Sequence, residues 1–390
     1  MWLFRSGFVL VAFVFAVAYT GFRLFRLIKY LLPSFKAFIF WPVYVIFGFS
    51  YIIASLLRLD RFLSVRLVVM YSLPFLIYFC MGLLIFEVPR FVLWTKKKKR
   101  FSSGVSAGFT GLAMGLTILV IIFGTFNSKK IHTTRYEITL NGRGSPGMEK
   151  ALRIALVSDT HIGRIVNLKW LSKIVDAVIA TNPDVICIAG DILDNNKNMI
   201  SDIEGVAGEL QRLSAPLGVY ACQGNHDVSR YVWRDEREAV RLNDFLKAVG
   251  INFLQDEVVT LTENIYLIGR RDARVYGNRP PRKTAAEISA ELDRSKIFIF
   301  MDHQPVDYPA LDEAGADLIF SGHTHGGQFF PGNIVTALMF RKAGAKHYGH
   351  WRGKTAQAVI SSGAGLWGPP IRIGTKSEVV VVDVRFISAD

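Results

Sequence analysis

The ten residues Leu152-Arg153-Ile154-Ala155-Leu156-Val157-Ser158-Asp159-Thr160-His161 pass from an apolar run directly into two side chains of metal-ligand type. A short run this rich in branched apolar residues reads as a strand buried on both faces. The pattern recurs along the chain. Asp184–Ala189 leads into Gly190-Asp191-Ile192-Leu193-Asp194, and Gly218–Gln223 into Gly224-Asn225-His226-Asp227. Lys296–Met301 leads into Asp302-His303-Gln304-Pro305, and Asp317–Ser321 into Gly322-His323-Thr324-His325-Gly326-Gly327-Gln328. Ile265–Gly269, Ala358–Ser362 and Glu378–Val384 are further apolar runs, while Trp170–Thr181, Glu204–Leu213, Asp235–Val249 and Thr284–Arg294 read as helices between them. Such alternation predicts a layered α/β domain. Ligands of open α/β sheets bind beyond the carboxyl ends of the strands, so five strands would deliver their His, Asp and Asn side chains to one rim.

A single Asp-x-His is usually a loop detail, and a single Gly-Asn-His-Asp can be a turn. Five such segments, each following a strand, are a different matter. The set Asp-x-His, Gly-Asp-x-x-Asp, Gly-Asn-His-Asp, a lone His and Gly-His-x-His resembles the calcineurin-like metallophosphoesterase superfamily. Gly322–Gln328 and the ending Ser362-Gly363-Ala364-Gly365-Leu366-Trp367-Gly368-Pro369-Pro370-Ile371-Arg372 are similar to its membrane-associated branch, which includes multi-pass members. The resemblance covers about residues 150–385. It implies Asp159, His161 and His325 as ligands of a first metal, Asn225, His303 and His323 as ligands of a second, and Asp191 as the carboxylate bridging both. It also implies His226 as a catalytic histidine beside the substrate and Asp194 as the acid that orients it.

Mixed nitrogen and oxygen donors without thiolate suit two divalent ions such as Mn, Zn or Fe. A pair roughly 3.5–4 Å apart lowers the pKa of a bridging water and clamps phosphoryl oxygens for in-line attack. A general acid contributes about 10²–10⁴-fold, so the metals are expected to carry most of the acceleration. Arg270, Arg271 and Arg274 are candidate substrate-binding residues in a basic stretch that continues through Arg279, Arg282 and Lys283. Substrate contact, anionic lipid contact and plain solvation all remain open for it. Phe329, Phe330, Leu338, Met339, Phe340, Tyr348 and Trp351 follow the last motif and could line an apolar substrate channel, dip into a bilayer or simply pack.

The first third of the chain is of another kind. Residues 1–130 hold sixteen Lys and Arg against two acids, Asp60 and Glu87, whereas the remainder holds thirty of each. The whole net charge of +14 therefore belongs to the N-terminal part. There it alternates with charge-free runs at 6–22, 37–57, 67–86 and 101–128, apolar on every face and close to the roughly 20 residues that span a bilayer. The basic residues read as membrane topology, and no nucleic-acid partner is expected. Four transmembrane helices (about 6–22, 37–57, 67–86 and 105–126) would form region 1–130, followed by a linker at 131–150, with a short strand at Tyr136–Leu140, and the phosphoesterase domain at 151–390. Arg23, Arg26, Lys29 and Lys36 in the first connection, and Arg90 with Lys96–Arg100 in the third, favour placing both inside. That puts the N-terminus and the catalytic domain outside the cytoplasmic membrane, provided that Ala16-Val17-Ala18 is not cleaved as a signal-peptidase site.

The expectation is a membrane-anchored binuclear phosphoesterase acting on a phospholipid or lipid-linked diphosphate. The related branch includes enzymes resembling UDP-diacylglucosamine hydrolases. A general phosphodiesterase for soluble esters is the alternative, and a non-enzymatic sensor with a structural metal site is a weaker one. Nothing in the sequence fixes an oligomeric state.

Overall fold

The structure is a computed structural model and describes residues 7–57, 62–97, 101–142, 151–194, 200, 202–227, 236–274 and 281–388. It divides into a helical N-terminal unit and an α/β unit.

The helical unit contains α1 (Gly7–Leu31), α2 (Ala37–Gly48), α3 (Ser50–Leu57), α4 (Leu63–Lys97) and α5 (Ser103–Ser128). Three of these, α1, α4 and α5, are long and apolar enough to cross a membrane. The second expected span is broken: α2 and α3 meet at Phe49 with a bend of 69°, so the described residues hold three candidate spans, or four if the bent pair counts as one. Helices α1 and α4 outrun their apolar stretches, α4 continuing through Pro74 and Pro89 over 35 residues. Arg23 and Arg26 consequently lie within α1 rather than in a connection. Polar contacts join the helices: Thr20 Oγ1 meets the Tyr44 hydroxyl at 2.7 Å, and Ser50 donates to Ser72 at 2.9 Å. Gly82 lets α4 approach α5 closely, since a Cβ there would lie 3.3 Å from that of Ala113. Close approach over small residues and hydrogen bonds between helices are what hold helices together where lipid cancels the hydrophobic drive.

The α/β unit begins inside the segment expected as linker. Residues 131–142 form a strand, β1 (Ile131–Gly142), that pairs in parallel with the last strand of the chain. Its second half contains the short strand expected at Tyr136–Leu140, and the strand runs five residues further back, where no residue is fully buried. The linker's turn-rich centre, 143–150, lies outside the described residues.

The strands that follow are β2 (Ala151–Val157), β3 (Val185–Ala189), β4 (Val219–Cys222), β5 (Asn252–Leu254), β6 (Glu257–Thr262), β7 (Ile265–Gly269), β8 (Ile297–Met301), β9 (Leu318–Ser321), β10 (Gly349–Arg352), β11 (Gln357–Ile360) and β12 (Ser377–Ser388). They form two six-stranded sheets, ordered β1-β12-β2-β3-β4-β5 and β10-β11-β9-β8-β7-β6. Between the sheets, Ile154, Leu156, Val380 and Val382 of the first share one apolar core with Leu267, Ile299, Met301 and Phe320 of the second. The helices α6 (Leu168–Ile179), α7 (Ile203–Gln211) and α8 (Glu236–Ala248) cover the outer face of the first sheet. The short helices α9 (Ala285–Ser289) and α10 (Tyr308–Glu313) cover that of the second. The result is a four-layer α-β-β-α sandwich. Because β2, β3 and β4 run parallel, as do β7, β8 and β9, their carboxyl ends collect along one rim. Cys187 and Cys222 sit on adjacent strands of the first sheet as free, buried thiols.

Candidate metal centre

The rim gathers Asp159 and His161 after β2, Asp191 after β3, Asn225 and His226 after β4, His303 after β8, and His323 and His325 after β9. Three sets of side chains bring their ligand atoms within 4.8 Å of one another: Asp159, His161 and His325; His161, Asp191 and His226; Asp191, His303 and His323. Asp191 belongs to two of them. Its Oδ1 accepts the backbone N–H of His226 at 2.6 Å, while its Oδ2 lies 3.2 Å from His303 Nε2 and 3.8 Å from His161 Nε2. One carboxylate thus stands between two clusters.

The donor atoms present fit two cations. His161 Nε2 and His325 Nε2 are 3.0 Å apart. Two nitrogens each about 2.1 Å from one ion and at right angles around it are separated by about that distance. Asn225 Oδ1 is buried with no hydrogen-bond partner, which is costly unless a cation satisfies it. Burial drives His161 down to about 4 and His323 to about 3, and holds His325 well below its ordinary value. Those rings are therefore neutral, with a lone pair to offer. His303 is the exception: burial opposes its protonation, but Asp191, Asp159 and Asp272 outweigh burial and hold it well above the usual histidine range. Its Nδ1 donates to the Ala189 carbonyl at 2.8 Å, which orients Nε2 toward Asp191.

The backbone around the rim is shaped for these side chains. Asp159, His161, Asp191, His323 and His325 all have positive φ, between 45° and 70°. Left-handed backbone at a non-glycine residue costs on the order of 1–3 kcal/mol and persists where surrounding contacts enforce it. Asp159 shows one such contact: both its oxygens accept the His323 N–H, each at 3.0 Å. Glycines permit the approach. A Cβ on Gly322 would lie 2.3 Å from Asp159 Oδ2, and one on Gly224 would lie 2.2 Å from the Asp191 nitrogen.

A model of the calcineurin-like phosphoesterase family matches residues 152–327, which contain all seven candidate ligands. The chain carries a calcineurin-like metallophosphoesterase domain. It is 25% identical to an uncharacterised metallophosphoesterase of Campylobacter jejuni over 99% of both chains. It is 32% identical to one of Helicobacter pylori over 60% of this chain and 59% of that one, so the match spans about three fifths of that relative's length. A Danio rerio "transmembrane protein with metallophosphoesterase domain" is 29% identical over 71% of this chain and 62% of its own.

His226 and Asp194 lie beside the clusters. His226 Nδ1 is 3.9 Å from Asp194 Oδ1, an electrostatic distance rather than a hydrogen bond. The His226 ring meets that of His161 edge-on at 4.6 Å between centroids.

The three candidate arginines of the domain part company. Arg270 is buried and is spent on structure: its guanidinium donates to Asp302 Oδ2 at 2.7 Å and to the Lys283 carbonyl at 3.0 Å. Arg282 donates to the other Asp302 oxygen at 2.9 Å and also pairs with Asp307. Arg270 is therefore corrected from substrate contact to the partner of a buried carboxylate, whose orphaning costs about 3–5 kcal/mol. Arg271 lies beside Asp256, with Nε 3.8 Å from Oδ2. Only Arg274 is exposed with a charge felt at His323. Arg279 lies outside the described residues.

Two residues in the quoted motifs have roles that the sequence does not disclose. Asp227 accepts the N–H groups of Asp191 at 2.8 Å, Ile192 at 3.0 Å and Gly224 at 2.9 Å. Arg372, wholly buried, donates to the carbonyls of His325 at 2.9 Å, Gly363 at 3.1 Å and Gly365 at 2.8 Å. A charged residue inside a Gly-rich or Pro-rich motif was the available signal for each.

Proposed function

We propose that this chain is a membrane-tethered phosphoester hydrolase whose substrate is a phosphorylated lipid or lipid-linked diphosphate. In this reading Asp159, His161, Asp191 and His325 hold one divalent ion, and Asp191, Asn225, His303 and His323 hold the other, with Mn, Zn or Fe as candidates. The ions would supply Lewis acidity toward the phosphoryl oxygens. His226 holds a proton for the leaving oxygen, and Asp194 orients its ring. Arg274 draws the anionic group toward His323.

The observation that carries the lipid reading is the helix α11 (Gly332–Lys342), which has no buried residue. Ile334, Val335, Leu338 and Met339 are each about half exposed along it. Its start abuts the candidate centre: a Cβ on Gly327, two residues beyond His325, would lie 2.3 Å from the Asn333 Cα. Arg341, Lys342 and Lys346 stand exposed at its far end. An apolar face with a basic margin suits the interface of an anionic bilayer. Not all of the aromatic segment serves this surface, since Phe340 packs into the domain and Trp351 lies on Tyr308 at 5.0 Å.

Each methylene withdrawn from water adds roughly 0.8 kcal/mol, so a few along α11 would separate lipid from soluble ester. The test is kcat/KM for long-chain and short-chain versions of one phosphoester with the full-length protein. A strong preference for the long chain is expected, and it should shrink in Leu338→Asp. Equal values for both substrates would favour a general phosphodiesterase that the helices merely anchor.

A further inference from the structure

Among the described residues, a cluster of charged side chains away from the rim stands out within the helical unit. Glu87 of α4 carries two guanidiniums: Arg23 Nη1 meets its Oε1 at 2.7 Å, and Arg90 Nη1 meets Oε1 at 2.8 Å and Oε2 at 2.9 Å. Arg23 is only 5% exposed and is also bonded to Thr110 Oγ1 at 2.9 Å and the Ser106 carbonyl at 3.4 Å. The cluster thereby joins α1, α4 and α5. Beside it opens a cavity of about 430 Å³ whose polar wall is Arg26, Glu87, Arg90 and Ser106 and whose apolar wall is Phe91, Trp94 and Phe101.

The charges in this place do not cancel. One carboxylate faces Arg23, Arg26 and Arg90, leaving an excess of two positive charges. Among the described residues Arg26 has no carboxylate partner; its guanidinium lies 5.7 Å from the centre of the Phe22 ring. A lone Arg–Glu pair would be a bundle fastener, and Arg23 already plays that part for Glu87. Two more arginines beside a cavity do not serve fastening. Ionisable groups in membrane segments are costly and mark binding sites or conduction paths. The position fits a ligand at headgroup depth. Arg26 lies five residues before the end of α1 and Ser106 three residues after the start of α5, and amphipathic rings such as that of Trp94 concentrate at that level.

We propose that this cavity binds the phosphate group of an anionic phospholipid, with Arg26 and Arg90 on the phosphate oxygens and the three aromatic rings against the glycerol and first acyl carbons. Guanidinium suits phosphate because its planar donors can engage two oxygens together. All of the residues that line it belong to the helical unit.

The test uses full-length protein in phosphatidylcholine nanodiscs, with fluorescence quenching by brominated lipids. The difference between wild type and Trp94→Phe isolates the Trp94 signal. Brominated phosphatidylglycerol should quench Trp94 at a lower mole fraction than brominated phosphatidylcholine. Arg26→Gln should raise the half-quenching fraction for phosphatidylglycerol about fivefold, and Arg26→Lys should restore part of it. Neither substitution touches the Glu87 ion pairs. A phosphatidylglycerol signal that survives millimolar inorganic phosphate supports a lipid occupant. Its complete reversal by inorganic phosphate would assign the cavity to a soluble anion and overturn the lipid proposal. Equal quenching by the two lipids, or no effect of Arg26→Gln, would overturn the site itself.

Discussion

The carboxylate of Asp227 accepts the backbone N–H of Asp191 at 2.8 Å, and so fixes the loop whose side chain stands between the two ligand clusters. Asp227 takes part in neither cluster. Burial raises it to about 7, against the help of the N–H groups it accepts. It is a positioning residue. Asp227→Asn puts an amide donor where an acceptor is needed. Metal affinity should fall about 10–100-fold, as for other groups that orient ligands. Activity at saturating metal should recover more than activity at limiting metal. A kcat deficit that ignores metal concentration would show that Asp227 acts by some other means.

His226 and Asp191 should behave oppositely. In His226→Asn both metals should stay bound while kcat drops about 10²–10⁴-fold, the usual share of a general acid. Asp191→Ala should lose metal and nearly all turnover together. Elemental analysis of the purified variants beside their kcat values separates the two. Metal loss in His226→Asn proportional to its rate loss would make His226 a ligand.

Metal uptake should release protons. His161 and His323 are neutral near pH 7, but the carboxylates around His303 keep its ring protonated, so an ion must displace about one proton there. Asp159, raised by burial to about 6, adds to the release as pH falls below that value. The metal-free protein holds the extra protons, so apparent metal affinity should weaken with acidification and do so more steeply below about pH 6. Calorimetry of metal binding in buffers of different ionisation enthalpy counts the protons. Uptake with no proton release at neutral pH would rule out a protonated His303.

Much of this was legible in the sequence because strand, turn and ligand occur together in it. The buried strands were written as unbroken apolar runs, and the rim residues followed them directly. What escaped reading depended on packing. Arg270 and Arg274 are the same residue type four positions apart, and only the burial of Asp302 decides which of them is spent. The continuous apolar run 37–57 conceals the break at Phe49. The first half of β1 escaped because its neighbour β12 is distant in sequence, and α11 because most of its apolar residues cover no core.

Orientation in the membrane can be tested by single cysteines in intact cells, with Cys80 replaced by Ala and the buried Cys187 and Cys222 left in place. The basic residues gathered in the last turns of α1 and α4 and in the connections that follow them favour those ends inside and the catalytic domain outside. Lys173→Cys, on the surface of the domain, should react with a membrane-impermeant thiol reagent, and Lys96→Cys should not. The reverse labelling would place the domain in the cytoplasm and change the substrates within its reach.

The candidate ligands come from both sheets, with Asp159, His161, Asp191 and Asn225 on one and His303, His323 and His325 on the other. Ions held among them would act as rivets between two layers that otherwise meet through apolar side chains. Ion binding then adds to the stability of the folded layers by mass action. A chain made during ion scarcity is one whose rim opens first, and local opening is what proteases exploit. The amount of this protein in a cell should accordingly follow the supply of its ions, without any regulator dedicated to sensing them.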